Sequence, residues 1–195
     1  MASSIESTSS TTTLKNNGNT YMSVDTNDIV ALTNPLPLAS GGTGAVSVNG
    51  VVQTVNTQNG GAGAGTTAIP WDDTIPQNTE GDEYINRSIT PKNTNNILHI
   101  DVTLVLSNNA ATVQTAALFQ DTTASAIAAA GVYIDTADKG YTLTFKHKMV
   151  AGTTSATTFK VRSGGQSGTT TLNGAGSRKY GGVSASSITI TEYTA

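Results

Sequence analysis

The sequence predicts a mostly β protein, with an extended N-terminal arm followed by an antiparallel, jelly-roll-like β-sandwich head. Three observations carry this expectation. Residues 97–106 alternate, with Leu98, Ile100, Val102, Leu104 and Leu106 on one face and His99, Asp101 and Thr103 on the other. That period of two marks a half-buried strand. Further strand-like runs follow at short spacing, with Gly-rich turns and no long helical period between them. Ahead of them, residues 1–20 form a Ser/Thr/Asn tract with few apolar anchors, which alone cannot offset its ordering entropy and is expected to be disordered.

The arm is assigned to residues 1–68. Residues 21–24, 28–32 and 46–55 are strand-like, and between them lies Leu36-Pro37-Leu38-Ala39-Ser40-Gly41-Gly42-Thr43-Gly44. Proline fixes an extended path there, while glycine permits sharp turns or close backbone approach. A second glycine patch at 59–65 reads as a linker or a tightly packed joint, and the boundary is placed near residue 68.

The head is assigned to residues 69–195. Residues 141–150 repeat the alternation, with Tyr141, Leu143, Phe145 and Met149 inward and Thr142, Thr144, Lys146 and Lys148 outward. Residues 157–162 and 187–193 are rich in β-branched side chains and are bounded by Gly-rich turns. Residues 124–135 are ambiguous, since their alanines allow a helical turn while Val132, Tyr133 and Ile134 suggest a strand. A head of this length suits an eight-stranded jelly roll closing two sheets over one core. Few exposed lysines and no proline after Pro91 leave the edge strands unguarded, which favours an oligomer.

Composition narrows the function. A net charge of -3 with ten Lys and Arg scattered along the chain does not make the basic stripe of a nucleic-acid binder. There are no cysteines, so disulfides, thiolate metal sites and cysteine nucleophiles are excluded. The N-terminus lacks a secretory pattern, and no apolar run approaches the roughly 18 residues of a membrane span. No membrane insertion and no cofactor are expected.

The candidate chemistry is sparse. Asp72, Asp73, Glu80, Asp82 and Glu83 form the densest acidic patch, open to a glycosidase or calcium reading. The favoured reading is a solvated loop with Trp71 and Ile75 tucked beneath it. His99 is a surface residue by its phase. His147 lies in the apolar phase beside Phe145 and Met149. On a three-fold axis it would present three imidazoles to an ion; the favoured reading is a hydrogen-bonded core or interface histidine, and no metal site is assigned. Lys146, Lys148, Lys160 and Arg162 share outward phases on two strands, suited to a negatively charged surface or to plain solvation. Carbohydrate binding uses exposed aromatic platforms. With one Trp, six Tyr and three Phe, the candidates for receptor contact are Tyr180, in a Gly-rich stretch, and Tyr193 near the C-terminus.

Two stretches resemble known proteins. Residues 36–45, Leu-Pro-Leu-Ala-Ser-Gly-Gly-Thr-Gly-Ala, resemble an element of phage tail fibres that lies in a thin trimeric region. The resemblance makes Leu36, Pro37, Gly41, Gly42 and Gly44 candidates for a trimer joint or virion attachment. Residues 69–195 are similar to the C-terminal β-sandwich heads of phage fibre proteins, through Trp71 to Gln77, Glu80 to Tyr84, Ile89-Thr90-Pro91 and Ser186 to Tyr193. The resemblance implies a virion-mounted homotrimer, held to other virion proteins through residues 1–60 and turning its head to a host surface glycan. A single Gly-Gly-Thr-Gly element means any shaft is short. A capsid head fibre or decoration protein is the alternative, and a polysaccharide-degrading enzyme a third.

Overall fold

The computed structural model describes residues 3–7, 11–16, 19–25, 30–32 and 50–195. The chain forms two compact units, Met1–Asn49 and Gly50–Ala195.

In the first unit, strands β1 (Ser3–Ser7), β2 (Thr11–Asn16), β3 (Asn19–Asp25) and β4 (Val30–Leu32) form a four-stranded antiparallel meander in chain order. The expectation of a disordered tract is therefore corrected. Thr11, Thr12 and Thr13 are β-branched strand formers, and β1 and β3 flank them with the backbone partners an isolated tract lacks. The strand-like run at 21–24 falls in β3, and residues 30–32 of the run at 28–32 form β4. The joint assigned to Leu36, Pro37, Gly41, Gly42 and Gly44 lies outside the described residues.

The second unit contains β5 (Val51–Asn59), β6 (Gly63–Gly65), β7 (Asp82–Ile89), β8 (Ile97–Asn108), β9 (Thr112–Gln120), β10 (Ala128–Ile134) and β11 (Tyr141–Val150), followed by β12 (Thr157–Gly165), β13 (Thr170–Leu172), β14 (Gly174–Ala175), β15 (Ser177–Arg178) and β16 (Ser186–Tyr193). The long strands pair antiparallel and are nested, β5 with β16, β7 with β12, β8 with β11 and β9 with β10. Cross-pairing of β16 with β8 and of β12 with β9 then gives two sheets, β5-β16-β8-β11 and β7-β12-β9-β10. Nesting of eight strands into two such sheets is the jelly roll. Short β13 continues along β8 beyond the point where β16 leaves it, and β6 pairs with β13.

The head therefore begins at Gly50 rather than at residue 69. Val51–Asn59 is the first strand of the roll and pairs with the last, β16. The run at 46–55 reads as strand, but the glycine patch at 59–65 that follows it has the look of a linker and draws the boundary to residue 68. Residues 128–134 settle as strand, with Ile134 fully buried.

The two sheets close over Leu98, Ile100, Val102, Leu104 and Leu106 of β8, Ile188 and Ile190 of β16, Leu118 of β9 and Phe159 and Val161 of β12. A smaller cluster, Ile69, Ala117 and Phe119, lies on the opposite face of β9. It is covered by a strap, residues 66–81, that crosses the outer side of the smaller sheet. The strap runs so close to β12 that a side chain on Gly164 would meet Thr67 O at 2.3 Å. Arg162 ties down its far end, donating Nε to Glu80 O at 2.8 Å and Nη2 to Gly81 O at 2.7 Å.

Buried polar groups are closed into networks. Gln114 donates to Ser163 Oγ at 2.9 Å and to Thr170 Oγ1 at 3.0 Å, and accepts from Asn108 Nδ2 at 3.2 Å. Glu192 is fully covered at the end of β16, where its carboxylate accepts Gln53 Nε2 at 2.6 Å, Asn96 Nδ2 at 2.6 Å and the Lys92 backbone N–H at 2.8 Å. Burial alone would raise its pKa. The hydrogen bonds from Gln53, Asn96 and the Lys92 and Asn93 backbones outweigh burial and hold it below its ordinary value.

Two outcomes follow from this architecture. A fragment beginning at Gly50 should fold cooperatively. One beginning at Ile69 leaves one side of β16 without its partner strand and should aggregate or lose its melting transition in circular dichroism. For Glu192, the folded pKa is depressed, so its stabilisation is complete above the ordinary value of 4.5 and is lost as pH falls through the folded value. Glu192→Gln turns an amide N–H2 toward groups that are themselves donors. It should cost about 2 kcal/mol at neutral pH and remove this part of the acid dependence, as read by urea unfolding at pH 7 and pH 3.

Candidate functional site

The connection from β13 to β16 builds the first site. Asn173 opens it in a left-handed conformation, φ 53°, and is buried. Its amide nitrogen donates to Asn59 O at 2.6 Å and Gly61 O at 2.9 Å, while its Oδ1 accepts from Ser186 Oγ at 2.8 Å. With its backbone N–H given to Val105 O at 2.8 Å, Asn173 fastens the loop to β5 and β8. The 59–65 patch is accordingly a packed joint within the head.

Beyond Asn173 the chain makes a single 3-10 turn, Tyr180–Gly182, in which Tyr180 has φ 50° and is 81% exposed. A left-handed tyrosine costs about 1–3 kcal/mol and persists only where its surroundings impose it. The loop encloses a hollow of about 350 Å³, lined by Val105, Gly140, Asn173, Lys179, Tyr180 and Ser184. An exposed ring beside an ammonium group can stack against a ligand and bind an oxygen acceptor.

Tyr193 does not join this site. It opposes Ile97 at the start of β8, whereas the hollow touches Val105, eight residues on, or roughly 26 Å along the strand. The Tyr193 ring is half-buried and tilted 54° against His99, with centroids 4.9 Å apart.

His147 keeps the phase expected of it, inward and half-buried opposite Ile100 on β11. Burial lowers its pKa and favours the neutral imidazole. A cleft of about 250 Å³ runs past it, lined also by His99, Asp101, Lys146 and Lys148, with Lys146 Nζ 2.7 Å from Asp101. Among the described residues, no three His, Asp or Glu side chains gather closely enough to hold a metal ion.

Two expectations require correction. Lys146 and Lys148 sit on β11 of one sheet and Lys160 and Arg162 on β12 of the other, so the four do not form one basic surface. Trp71 and Ile75 are not tucked beneath the acidic loop but are 59% and 60% exposed. Four of the five acids are engaged in hydrogen bonds. Asp72 accepts the Thr74 N–H at 2.9 Å and Glu80 the Gln77 N–H at 2.9 Å. Asp82 accepts the Thr67 N–H at 3.0 Å, and Glu83 accepts Asn86 Nδ2 at 2.7 Å. Trp71 is thus a surface residue that pattern reading misses. Its signal was a glycine, Gly131, at an outward position of an alternating strand, leaving room for a large ring.

No protein-family model matches the chain, and no curated protein matches it. Among solved structures it is similar to the C-terminal domain of the sugar-binding protein EclA, at 13% identity, covering 67% of this chain and 81% of that one, with a TM-score of 0.32. It is also similar to dimeric latent PorU from Porphyromonas gingivalis, at 9% identity over 77% of this chain and 14% of that one, TM-score 0.37. A third likeness is to the VP2 subviral particle of infectious bursal disease virus, at 11% identity over 95% of this chain and 47% of that one, TM-score 0.32. These weak structural neighbours include a viral capsid protein and a sugar-binding domain, at TM-scores too low to lend weight to a function.

Proposed function

We propose that this chain is a non-enzymatic structural subunit of a phage particle, a trimeric fibre or spike held through its N-terminal unit and turning its jelly-roll head to the host surface. The observation that carries the assembly reading is the edge strand β5. It pairs with β16 on one side, and among the described residues no strand pairs with the other. Its nine residues, Val51–Asn59, contain no charge and no proline. A free edge of this kind invites pairing or packing with another chain unless something covers it, and a second copy does so in a trimer. The resemblance of residues 36–45 to the trimeric joint of phage fibres supports the same reading. Asp72, Glu80, Asp82 and Glu83 are each engaged in hydrogen bonds to nearby backbone or side-chain donors, which favours scaffold over glycosidase.

Light scattering on the full chain should give three times the monomer mass, and a monomer would end the trimeric reading. Antibody labelling of intact particles should decorate their surface at the tail; labelling confined to the capsid would reassign the chain as a head fibre or decoration protein. Removal of residues 1–49 should abolish incorporation into particles.

A further inference from the structure

The strap crosses the smaller sheet along one row of outward positions. Gly164 of β12, Thr115 of β9 and Gly131 of β10 stand side by side in that row. At Gly131 the Trp71 ring comes so close that a Cβ would lie 2.7 Å from its Cζ3 atom. The indole thus rests on a glycine at the edge of the sheet, with most of its surface open. Tyr133, two positions further along the same face of β10, is 65% exposed.

Between the two glycines lies Thr115, 5% exposed, whose Oγ1 is buried without a hydrogen-bond partner. Leaving a buried hydroxyl unpaired is costly. Ser107 Oγ and Arg87 Nε are also unpaired but lie outside this part of the surface, whereas Thr115 lines a cleft of about 230 Å³ walled by Trp71, Asp72 and Gly131. For a ligand in that cleft to pair with it, the Thr115 hydroxyl must turn about χ1 toward the opening. At its rim the Asp72 carboxylate is fixed by the Thr74 N–H and hydroxyl, and these bonds hold its pKa below the ordinary range. A second hollow, of about 360 Å³, shares Thr74, Pro76 and Ala129 with the first and carries the groove on past Ile75.

We propose that this groove binds a neutral oligosaccharide, with one pyranose ring stacked on Trp71. A pyranose offers an apolar C–H face to an open indole, and its hydroxyls both donate and accept. One hydroxyl donates to Asp72, another pairs with Thr115, and a neighbouring sugar unit occupies the adjoining hollow. Asp72 is the single charged residue of the two hollows, which disfavours anionic glycans. The site differs from the Tyr180 hollow in position and in the sign of its charge. It rests on the host-contact reading of the head and gives that contact a ligand class.

Trp71 is the only tryptophan in the chain, so fluorescence excited selectively from tryptophan over the six tyrosines reports on this groove alone. Full-length protein is titrated with neutral gluco-, galacto- and manno-trisaccharides and with sialylated and uronic-acid counterparts. At least one neutral trisaccharide should shift Trp71 emission and bind more tightly than its monosaccharide. Trp71→Ala, scored by glycan-array retention, should lose about tenfold or more in affinity, and Tyr133→Ala should weaken binding with the fold intact. Thr115→Val should weaken binding about three- to tenfold while leaving the melting temperature unchanged or higher, a combination that a purely structural threonine would not give. Tyr180→Ala should bind as the unsubstituted chain does. The site is overturned if the folded chain ignores every neutral probe at about 10 mM, if only anionic glycans bind, or if Tyr180→Ala rather than Trp71→Ala abolishes binding. Absence of the chain from particles would instead defeat the host-contact reading and leave the sugar titration standing.

Discussion

Strand β8 is the element on which the rest of the head depends. Its twelve residues pair with β11 along one side, and with β16 and then β13 along the other. Its inward residues Leu98, Ile100, Leu104 and Leu106 are completely buried, and each contributes about 1.5–3 kcal/mol by burial. Because the side-chain period is two, a slip of one residue would turn these positions to solvent and bring His99 and Asp101 into the core. The cost of that slip fixes the register of three neighbouring strands at once. Those neighbours in turn place the hairpin ends and loops on which every exposed feature stands.

The nested order of the roll follows from this. With β8 and β11 paired in one sheet, β9 and β10 pair in the opposing sheet, β12 joins β9 to β7 there, and β5 meets β16 outside β8. Sequence periodicity made β8 and β11 legible, since both alternate without interruption. It could not place β5, because a strand on the free edge of a sheet needs no strong apolar face. Val55 alone of its central residues packs on the core, and the flanking glycines look like a linker until the partner strand is known. The Thr-rich tract before it was misread for a related reason: polar β-branched residues form strands when neighbours supply hydrogen bonds, and composition does not reveal neighbours.

The candidate sites were legible to different degrees. The exposure of Tyr180 was legible because its Gly-rich surroundings forecast an irregular loop, and a left-handed φ and high exposure are what such a loop produces. Tyr193 is a candidate by its place near the C-terminus, but it ends β16, so its ring lies against His99 of the neighbouring strand. Grouping Lys146 and Lys148 with Lys160 and Arg162 failed because outward phase names a face and not a sheet. Trp71 failed in the opposite direction. A large aromatic ring beside an acidic loop is ordinarily taken as that loop's anchor, and only the topology shows that Ile69 has this role instead, against Ala117 and Phe119.

The position of Trp71 is a consequence of how the strap is held. Arg162 binds the carbonyls of Glu80 and Gly81, the Gly81 N–H reaches Ala68 O at 3.1 Å, and the Ala126 N–H reaches Pro76 O at 2.9 Å, so the strap is held at Ala68 and at Pro76. Between those ties, the strap passes close over Gly164, inserts Ile69 above Phe119 and reaches the edge strand β10 two residues later. No strand of the smaller sheet lies beyond β10 to cover what comes next. The indole therefore meets the backbone of Gly131 below and solvent above. A strap free to slide by one residue would exchange Ile69 with a neighbour and lose the sealed face of the sheet. The same constraint that seals the face sets the aromatic ring against Gly131 at the rim, with its outer side open. Contact with a backbone that is itself fixed in a strand narrows the positions open to the ring, which lowers the side-chain immobilisation a ligand would otherwise incur.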